Sequence, residues 1–485
     1  MNASTRFRAI PPRPPITLAA RAFAALLFTI ATAALAPTPA LHAADTAQAA
    51  QVAAPGDFRE IVNQARQKAF PSVVYLNCVI ENFERGERLR ATVAGSGVII
   101  SADGEVMTNW HVVDHAVEVR ALLNDGRAFP VEIIGSDKDT DLALVRLKLP
   151  AGETVAPLEI ADDATPLQEG DFVMALGAPW GLNRSVSLGI VSCARRFLPE
   201  TSEYNTWIQT DAAISPGNSG GPLVDTHGRI VGINTRGSLI GGNTGFAVPA
   251  NMVRLLAERL RANGKSGANW TWVGLHFQPL RDFQRNIYFD GDTGVIISNA
   301  DDDSPASEAG LRAQDRLIRA NDTPVTALME EDLPAVRLML ALLPTGKPAS
   351  FTILRDGAEQ TLTVHPRAKG LVQGEEFTCP RWDITVKAIN QFEVPDLHYQ
   401  RAEGVYVSGI RYPGNAASSG LQQRDIILKV NGLDVTTIAD VRAQHEKTLA
   451  ALDKGNGARR LVLTVLRNNQ QLQIVIDISR DYTVK

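Results

Sequence analysis

The sequence predicts a mostly β chain: a pair of β-barrels or sandwiches, followed by two copies of one smaller α+β domain. Three observations carry this expectation. Short Val/Ile-rich runs recur between residues 72 and 248, and after residue 270 the chain repeats itself at a constant offset of 110 residues. The total of 485 residues accommodates about three domains at roughly 100–200 residues each.

The runs are Ser72–Leu76, Gly97–Ile100, Val117–Arg120, Val131–Ile134, Leu142–Val145, Phe172–Leu176, Gly189–Ser192, Ile230–Ile233 and Gly245–Val248. β-Branched side chains suit a pleated, half-buried surface, while the Gly, Asn and Asp between the runs supply turns, so even spacing of such runs reads as all-β. Within residues 44–70 the helix-periodic stretch Phe58–Lys68 leads into this unit, assigned to 71–262, and a second such stretch, Asn251–Arg261, closes it. In the repeat, Trp272 falls on Trp382, Gly294 on Gly404, Ser298 on Ser408, Gly310 on Gly420, Asp315 on Asp425, Asn321 on Asn431 and Val325 on Val435. No gap is needed, so residues 270–367 and 375–482 read as two copies of one domain. Each copy carries a helix-periodic run, Met329–Leu343 or Ile438–Leu452, and then a strand with a charged turn.

Composition narrows the class. With 45% hydrophobic and 21% charged residues the chain is globular rather than disordered, and a net charge of -5 gives no reason to expect a nucleic-acid partner. Arg6, Arg8, Arg13 and Arg21 precede the uncharged run Ala22–Ala36, a pattern that marks residues 1–43 as a secretory signal peptide. That run of fifteen falls short of the roughly 20 apolar residues that span a bilayer, so no stable membrane anchor is expected. The mature chain is then exported, to the periplasm in a Gram-negative cell. Cys78, Cys193 and Cys379 have neither CxxC spacing nor a matched histidine pair, which argues against a structural metal; the odd count leaves at least one thiol free, and Cys78 with Cys193 is the one pairing worth considering.

Three segments of the β-rich region carry chemistry: Thr108-Asn-Trp-His111-Val-Val, Asp139-Thr-Asp141-Leu-Ala-Leu-Val and Ser215-Pro-Gly217-Asn-Ser219-Gly-Gly-Pro222. A serine hydroxyl becomes a useful nucleophile when an imidazole accepts its proton, and a carboxylate must fix that imidazole's tautomer. Ser219, His111 and Asp141 supply the parts in the chain order His, Asp, Ser, which is the chymotrypsin order. Asp137 and Asp139 compete with Asp141, which is favoured because it directly precedes the apolar strand Leu142–Val145. Glycines around Ser219 allow a tight loop in which the N–H groups of Gly217 and Ser219 converge on a developing oxyanion. The duller readings fit less well. A nucleophile elbow needs a helix after the serine, whereas Pro222–Val231 reads as strand, turn, strand, and a zinc motif at His111–His115 lacks a third ligand.

Taken with Gly95-Ser-Gly-Val-Ile-Ile, Gly189-Ile-Val-Ser, Gln209-Thr-Asp-Ala-Ala-Ile214 and Gly245-Phe-Ala-Val-Pro249, these segments resemble the HtrA/Deg family of trypsin-like serine proteases over about residues 55–480. The resemblance implies a chymotrypsin-like double β-barrel protease followed by two PDZ-like domains. It also implies a homo-oligomer built on trimers, and ATP-independent cleavage of unfolded periplasmic proteins through an acyl-enzyme, with no cofactor or metal. A regulatory protease of one signalling substrate, or a chaperone scaffold with residual activity, are the alternatives.

Further residues refine the expectation. Asn218 stands where digestive relatives have an aspartate that pairs with a new N-terminus, so zymogen cleavage is not expected. In the resembling family the loop after Gly189–Ser192 senses bound peptide, which makes Arg195 or Arg196 the candidate sensor. Uncharged Ala213 and Ile214 before the nucleophile loop predict a small or medium aliphatic residue ahead of the scissile bond, although Arg236 and Gly237 stand on the opposite wall where apolar residues are common. PDZ domains add a chain terminus to a sheet edge and receive its carboxylate in a loop of N–H groups. Trp272-Val273-Gly274-Leu275 fits that loop in the first repeat, so C-terminal peptides are expected there. The second repeat has Ile384 at the glycine position with Asp383 beside it, which predicts poor binding of termini and a role in assembly. Asp301-Asp-Asp303 reads as a solvated loop rather than a calcium site.

Overall fold

The computed structural model describes residues 57–83, 85–162, 164, 166–178, 185–199, 201–238, 244–453 and 459–482. The signal-peptide assignment, 1–43, falls outside the described residues. Helix α1 (Phe58–Ala69) leads through a single 3-10 turn into the first of two closed six-stranded barrels. That barrel comprises β1 (Val73–Asn82), β2 (Leu89–Ile99), β3 (Glu105–Thr108), β4 (Ala116–Leu122), β5 (Ala128–Asp137) and β6 (Leu142–Leu147), with helix α2 (Trp110–Val113) between β3 and β4. The second comprises β7 (Phe172–Gly177), β8 (Ser185–Arg196), β9 (Trp207–Thr210), β10 (Pro222–Val224), β11 (Ile230–Ser238) and β12 (Thr244–Pro249), and helix α3 (Ala250–Asn263) follows.

Alternation along each strand places one row of side chains in a barrel interior and the other against its surroundings. Val74, Leu76, Ile99, Val106 and Val145 fill the first barrel; Val173, Ala175, Val191, Leu223 and Ala247 fill the second. Their partners on the opposite faces, among them Met107, Leu144, Met174 and Ile230, meet Val253, Leu256 and Leu260 of α3 in a third core that joins the barrels. The three cysteines are all free thiols, so the Cys78–Cys193 pairing is not formed: Cys78 lies on β1 of one barrel and Cys193 on β8 of the other. Burial pushes the Cys78 thiol up to about 12, which leaves it inert.

Each repeat folds as an antiparallel sheet with helices packed on it. The first contains α4 (Pro305–Glu308) and α5 (Leu333–Ala341), and the second α6 (Pro395–Gln400) and α7 (Ile438–Asp453). Several identities at the 110-residue offset prove to be scaffold positions. Asp315 takes a bidentate bond from Arg355, at 2.6 Å on both arms, as Asp425 does from Arg467. Asn321 and Asn431 share a left-handed φ of 48°, and each side-chain oxygen accepts a backbone N–H from the neighbouring strand. Gly310 and Gly420 turn the chain at φ 84°.

The repeats differ at one sheet edge. In the first, strand Leu275–Gln278 pairs with Val295–Ala300 and ends the sheet. In the second, the matching strand Ile384–Ala388 is flanked on both sides, by Val405–Ile410 and by Glu376–Cys379. Glu376–Cys379 therefore lies where an added peptide strand would lie. It is gripped by α7 as well: the Phe377 ring meets His445 edge-on at 5.7 Å and Arg442 at 5.0 Å.

The second repeat is also docked on the first barrel. The Thr385 hydroxyl donates to the Phe83 carbonyl, Arg411 pairs with Glu87 at 3.3 Å, and His115 bridges Asp114 at 3.0 Å and Glu376 at 3.4 Å. At Gly86, with φ 72°, an added Cβ would lie 2.1 Å from the Arg411 nitrogen, so only glycine permits the approach. The hydrogen bonds from His115 to Asp114 and to Glu376 raise its pKa from 6.5 to about 10, against burial, which lowers it. A cation favoured in the folded state stabilises fully below the unfolded value and loses that contribution as pH rises through the folded one. The thermal-stability advantage of the parent chain over His115→Gln is therefore expected to shrink as pH rises from about 6.5 to about 10, and the two should converge at the upper end. Parallel curves across that window would show that the bridge carries no stability.

Candidate active site

His111 sits in the single turn of α2 because Asn109 precedes it in extended conformation, and Trp110 N donates to the Asp141 carbonyl at 3.2 Å. Asp141 directly precedes β6 with a left-handed φ of 55°, a conformation that aspartate tolerates better than most residues. That turn aims its carboxylate at the histidine: His111 Nδ1 lies 2.9 Å from both oxygens, and His111 N donates to Oδ1 at 3.2 Å. A carboxylate only accepts, so Nδ1 carries the proton and Nε2 is left as the basic nitrogen. Asp141 is buried while His111 is about a third exposed, so the pair opens to solvent on the imidazole side.

The rival carboxylates are engaged elsewhere. Asp137 accepts from Thr140 N at 3.0 Å, Thr140 Oγ1 at 2.7 Å and Trp270 Nε1 at 2.8 Å, and Asp139 pairs with Lys369 at 2.8 Å. Burial, followed by the neighbouring Asp139 charge, pushes Asp137 up to about 6 despite those donors.

Ser219 comes from the second barrel, in the loop between β9 and β10. Ser215 to Asn218 form a type II turn, with Pro216 and Gly217 central, Asn218 N bonded to Ser215 O at 2.9 Å and Gly217 at φ 102°. The positive φ requires glycine and sets which way the Gly217 N–H points, since the alternative type I turn has that peptide flipped. Both ends of the next peptide are held, because Ser96 Oγ donates to the Gly217 carbonyl at 2.6 Å. The Ser219 hydroxyl donates to the Thr235 carbonyl at 2.8 Å. Asn218 is buried and uncharged; its Oδ1 accepts from Ser185 at 3.0 Å, so it needs no ammonium partner.

Residues to which the sequence reading gave no role knit these parts together. Buried Asn109 donates to the Asp141 carbonyl at 3.0 Å and to Thr235 Oγ1 at 3.1 Å, linking the His–Asp side of the site to the strand that holds the serine. Ser96, Asn109 and Thr235 are buried polar side chains; Ser96 and Asn109 fall inside segments singled out for the family resemblance and the histidine motif, but nothing local says what they bond.

Ile214 is half-buried against Gly245, where a Cβ would lie 2.7 Å from Ile214 Cδ1. Ala213 is exposed, and its carbonyl accepts from Ser187 Oγ at 2.7 Å. Arg236 and Gly237 pair with Phe246 and Gly245 in the β11–β12 ladder, while their side chains and residues 239–243 fall outside the described residues. Of the two candidate sensors, Arg195 reaches the first repeat, donating to Glu331 O and Asp332 Oδ1 at 3.3 Å each. Arg196 instead donates to Gln209 at 2.8 Å on the adjacent strand.

Trp272, Val273, Gly274 and Leu275 line a cleft of about 810 Å³ that also meets Trp110 and Asp141. Gly274 has φ 73°, and a Cβ there would lie 2.2 Å from Ser304 Cβ. In the second repeat, Ile384 is fully buried within the sheet, and Asp383 turns inward, accepting from Asn415 N at 2.7 Å. Asp383 is thus spent on its own loop rather than facing an incoming carboxylate. In the acidic run, Asp301 pairs with His276 at 2.7 Å and Arg367 donates to the Asp303 carbonyl.

Comparison with known proteins identifies the family. Residues 95–233 match the trypsin-like peptidase domain and residues 272–365 the PDZ domain. A probable periplasmic serine endoprotease, DegP-like, of Marinomonas sp. (strain MWYL1) is 34% identical over 71% of this chain and 72% of its own length. The periplasmic serine endoprotease DegP of Escherichia coli (strain K12) is 32% identical over 74% of this chain and 73% of its own. Among solved structures, the HtrA-type protease AlgW with a tripeptide matches 63% of this chain and 96% of its own at 29% identity, with a TM-score of 0.54. Two barrels meeting at a His–Asp pair, a PDZ domain behind them and relatives of this identity have one explanation: the chain belongs to the DegP/HtrA family of serine endoproteases.

Proposed function

We propose that the protein is an exported endopeptidase that hydrolyses unfolded proteins in the periplasm, with Ser219 as nucleophile, His111 as general base and Asp141 as its orienting carboxylate. The observation that carries this reading is the His111–Asp141 pair at 2.9 Å, set beside a serine loop whose type II turn requires Gly217. For acylation the Ser219 hydroxyl leaves the Thr235 carbonyl and gives its proton to His111 Nε2, while Oγ bonds to the scissile carbon. The N–H groups of Gly217 and Ser219 receive the oxyanion, and the protonated histidine then returns the proton to the leaving amine. Water repeats the sequence to release the acyl group.

The relatives named above are periplasmic, and no helix among the described residues is long and apolar enough to cross a membrane. Ala213 and Ile214, with Gly245 opposite, favour an aliphatic residue before the cut. Chain termini bind at Trp272–Leu275 beside the open edge of Leu275–Gln278, and Arg195 relays that binding to the loop after β8. The second repeat takes no termini, because Glu376–Cys379 fills its edge; it serves instead to dock on the protease. Copies of the chain associate through an apolar face on which exposed Phe58 and Phe172 stack at 4.7 Å, and exposed Leu188 and Val186 continue it along β8.

Unfolded casein incubated with the chain lacking residues 1–43 should be cleaved, and Ser219→Ala should lower turnover by roughly 10³ to 10⁶. Cleavage that survives the substitution would sink the mechanism. Gly245→Ala should push Ile214 into the pocket and disfavour Val and Ile before the cut by about tenfold relative to Ala, read from mass spectra of the products. The inactive Ser219→Ala chain should bind one aliphatic C-terminal peptide per chain by calorimetry, and two would contradict a filled second groove.

A further inference from the structure

Lys369 follows the short strand that closes the first PDZ domain, where Ala368 pairs with Thr271. Its backbone N donates to the Trp270 carbonyl at 2.8 Å, and its side chain is only 7% exposed. A lysine is buried to this degree only when its ammonium is matched by partners. Here they come from the protease: Nζ donates to Asp139 Oδ2 at 2.8 Å and to Tyr204 OH at 2.9 Å, with Glu203 at 3.9 Å. The ring of Tyr204 lies 4.9 Å from the ammonium, and that of Phe392, from the second PDZ domain, 5.1 Å. One side chain at the end of the first PDZ domain therefore touches both the protease and the second PDZ domain.

Each contact leads toward the catalytic parts. Asp139 is two residues before Asp141, in a turn where Asp141 N bonds to the Lys138 carbonyl at 3.2 Å. The other carboxylate of that turn, Asp137, is held by the Trp270 indole, so the loop bearing Asp141 is braced twice from the chain that follows the barrels. Tyr204 lies on the loop between β8 and β9, the same loop that takes a bond from Arg337 of α5 at the Ser202 carbonyl, 3.1 Å. Phe392 packs edge-on against Trp272 of the carboxylate-binding loop at 6.0 Å.

We propose that Lys369 is a positioning residue for catalysis: by clamping Asp139 and Tyr204 it holds the Asp141 turn and the loop after β8 in place only while the first PDZ domain is docked. The proposal rests on the assignment of Asp141 as the carboxylate that orients His111. It differs from the Arg195 contact, which engages Glu331 and Asp332 at the other end of the same loop.

The test compares the full chain with Lys369→Met, which keeps the apolar stem and removes the charge, with Asp139→Asn, and with the double variant. A short chromogenic peptide is the substrate, and active sites are counted with a fluorophosphonate that esterifies Ser219. Lys369→Met should lower kcat per active site about tenfold with KM unchanged within about twofold, the pattern of lost transition-state alignment. The acid limb of the pH profile should move to lower pH, because a misaligned Asp141 stabilises the imidazolium less. Asp139→Asn should shift kcat and the acid limb in the same direction, and the double variant should be no worse than Lys369→Met, since both singles weaken the same Lys369–Asp139 bond. An unchanged kcat per active site, an unmoved acid limb, or single effects that multiply in the double variant would each overturn the clamp. Should Ser219→Ala or His111→Ala retain activity, the triad assignment falls instead, which separates the two failures.

Discussion

Ser96 has no solvent exposure and lies where the two barrels meet, with every polar group it owns in use. Its N–H donates to the Ser219 carbonyl, its hydroxyl donates to the Gly217 carbonyl and accepts from Ala178 N, and its own carbonyl accepts from Thr108 Oγ1. A buried polar residue this fully satisfied fixes one geometry, because any shift of one barrel strands several groups away from water. Glycines make the approach possible. A Cβ at Gly220 would lie 2.2 Å from the Ser96 carbonyl, one at Gly221 2.2 Å from the Leu176 carbonyl, and one at Gly95 2.6 Å from Val112 in the helix that bears His111. Ser219 and His111, the proposed nucleophile and base, come from different barrels, so their relative position is only as good as this seam.

From the seam outward, the site is held by bonds that grow longer in sequence. Asn109 joins the Asp141 turn to Thr235, and Trp270 and Lys369 join the same turn to the chain beyond the barrels. His115, four residues past His111, meets Glu376 of the second PDZ domain. The PDZ domains are thus in contact with both the histidine and the aspartate sides of the site.

Duplication preserved a scaffold and let its edges diverge. The paired Asp315–Arg355 and Asp425–Arg467 bridges and the left-handed Asn321 and Asn431 keep the two sheets alike. What separates them is the route by which the chain arrives. The first domain follows α3 directly, and its edge strand is left open toward α5. The second is reached through a segment that runs along its own groove as Glu376–Cys379, so four backbone residues satisfy the edge that a ligand would otherwise pair with.

The sequence alone was enough for the all-β core and the repeat, and it nominated the residues of the proposed triad, because each is written in local pattern: β-branched runs, identities at one offset, and glycines crowded around a serine. It foresaw most barrel strands but passed over β3, β9 and the first half of β2, which are short or polar and lack the β-branched runs by which the others were found. Asp141 was separated from Asp137 and Asp139 only by its place before β6, and the bonds that occupy the other two come from Trp270 and Lys369, far along the chain. The proposed Ser219–His111–Asp141 chemistry is therefore legible as composition. Its alignment is a tertiary matter, since Ser96, Asn109, Thr235 and Lys369 act through hydrogen bonds between segments that no local pattern relates.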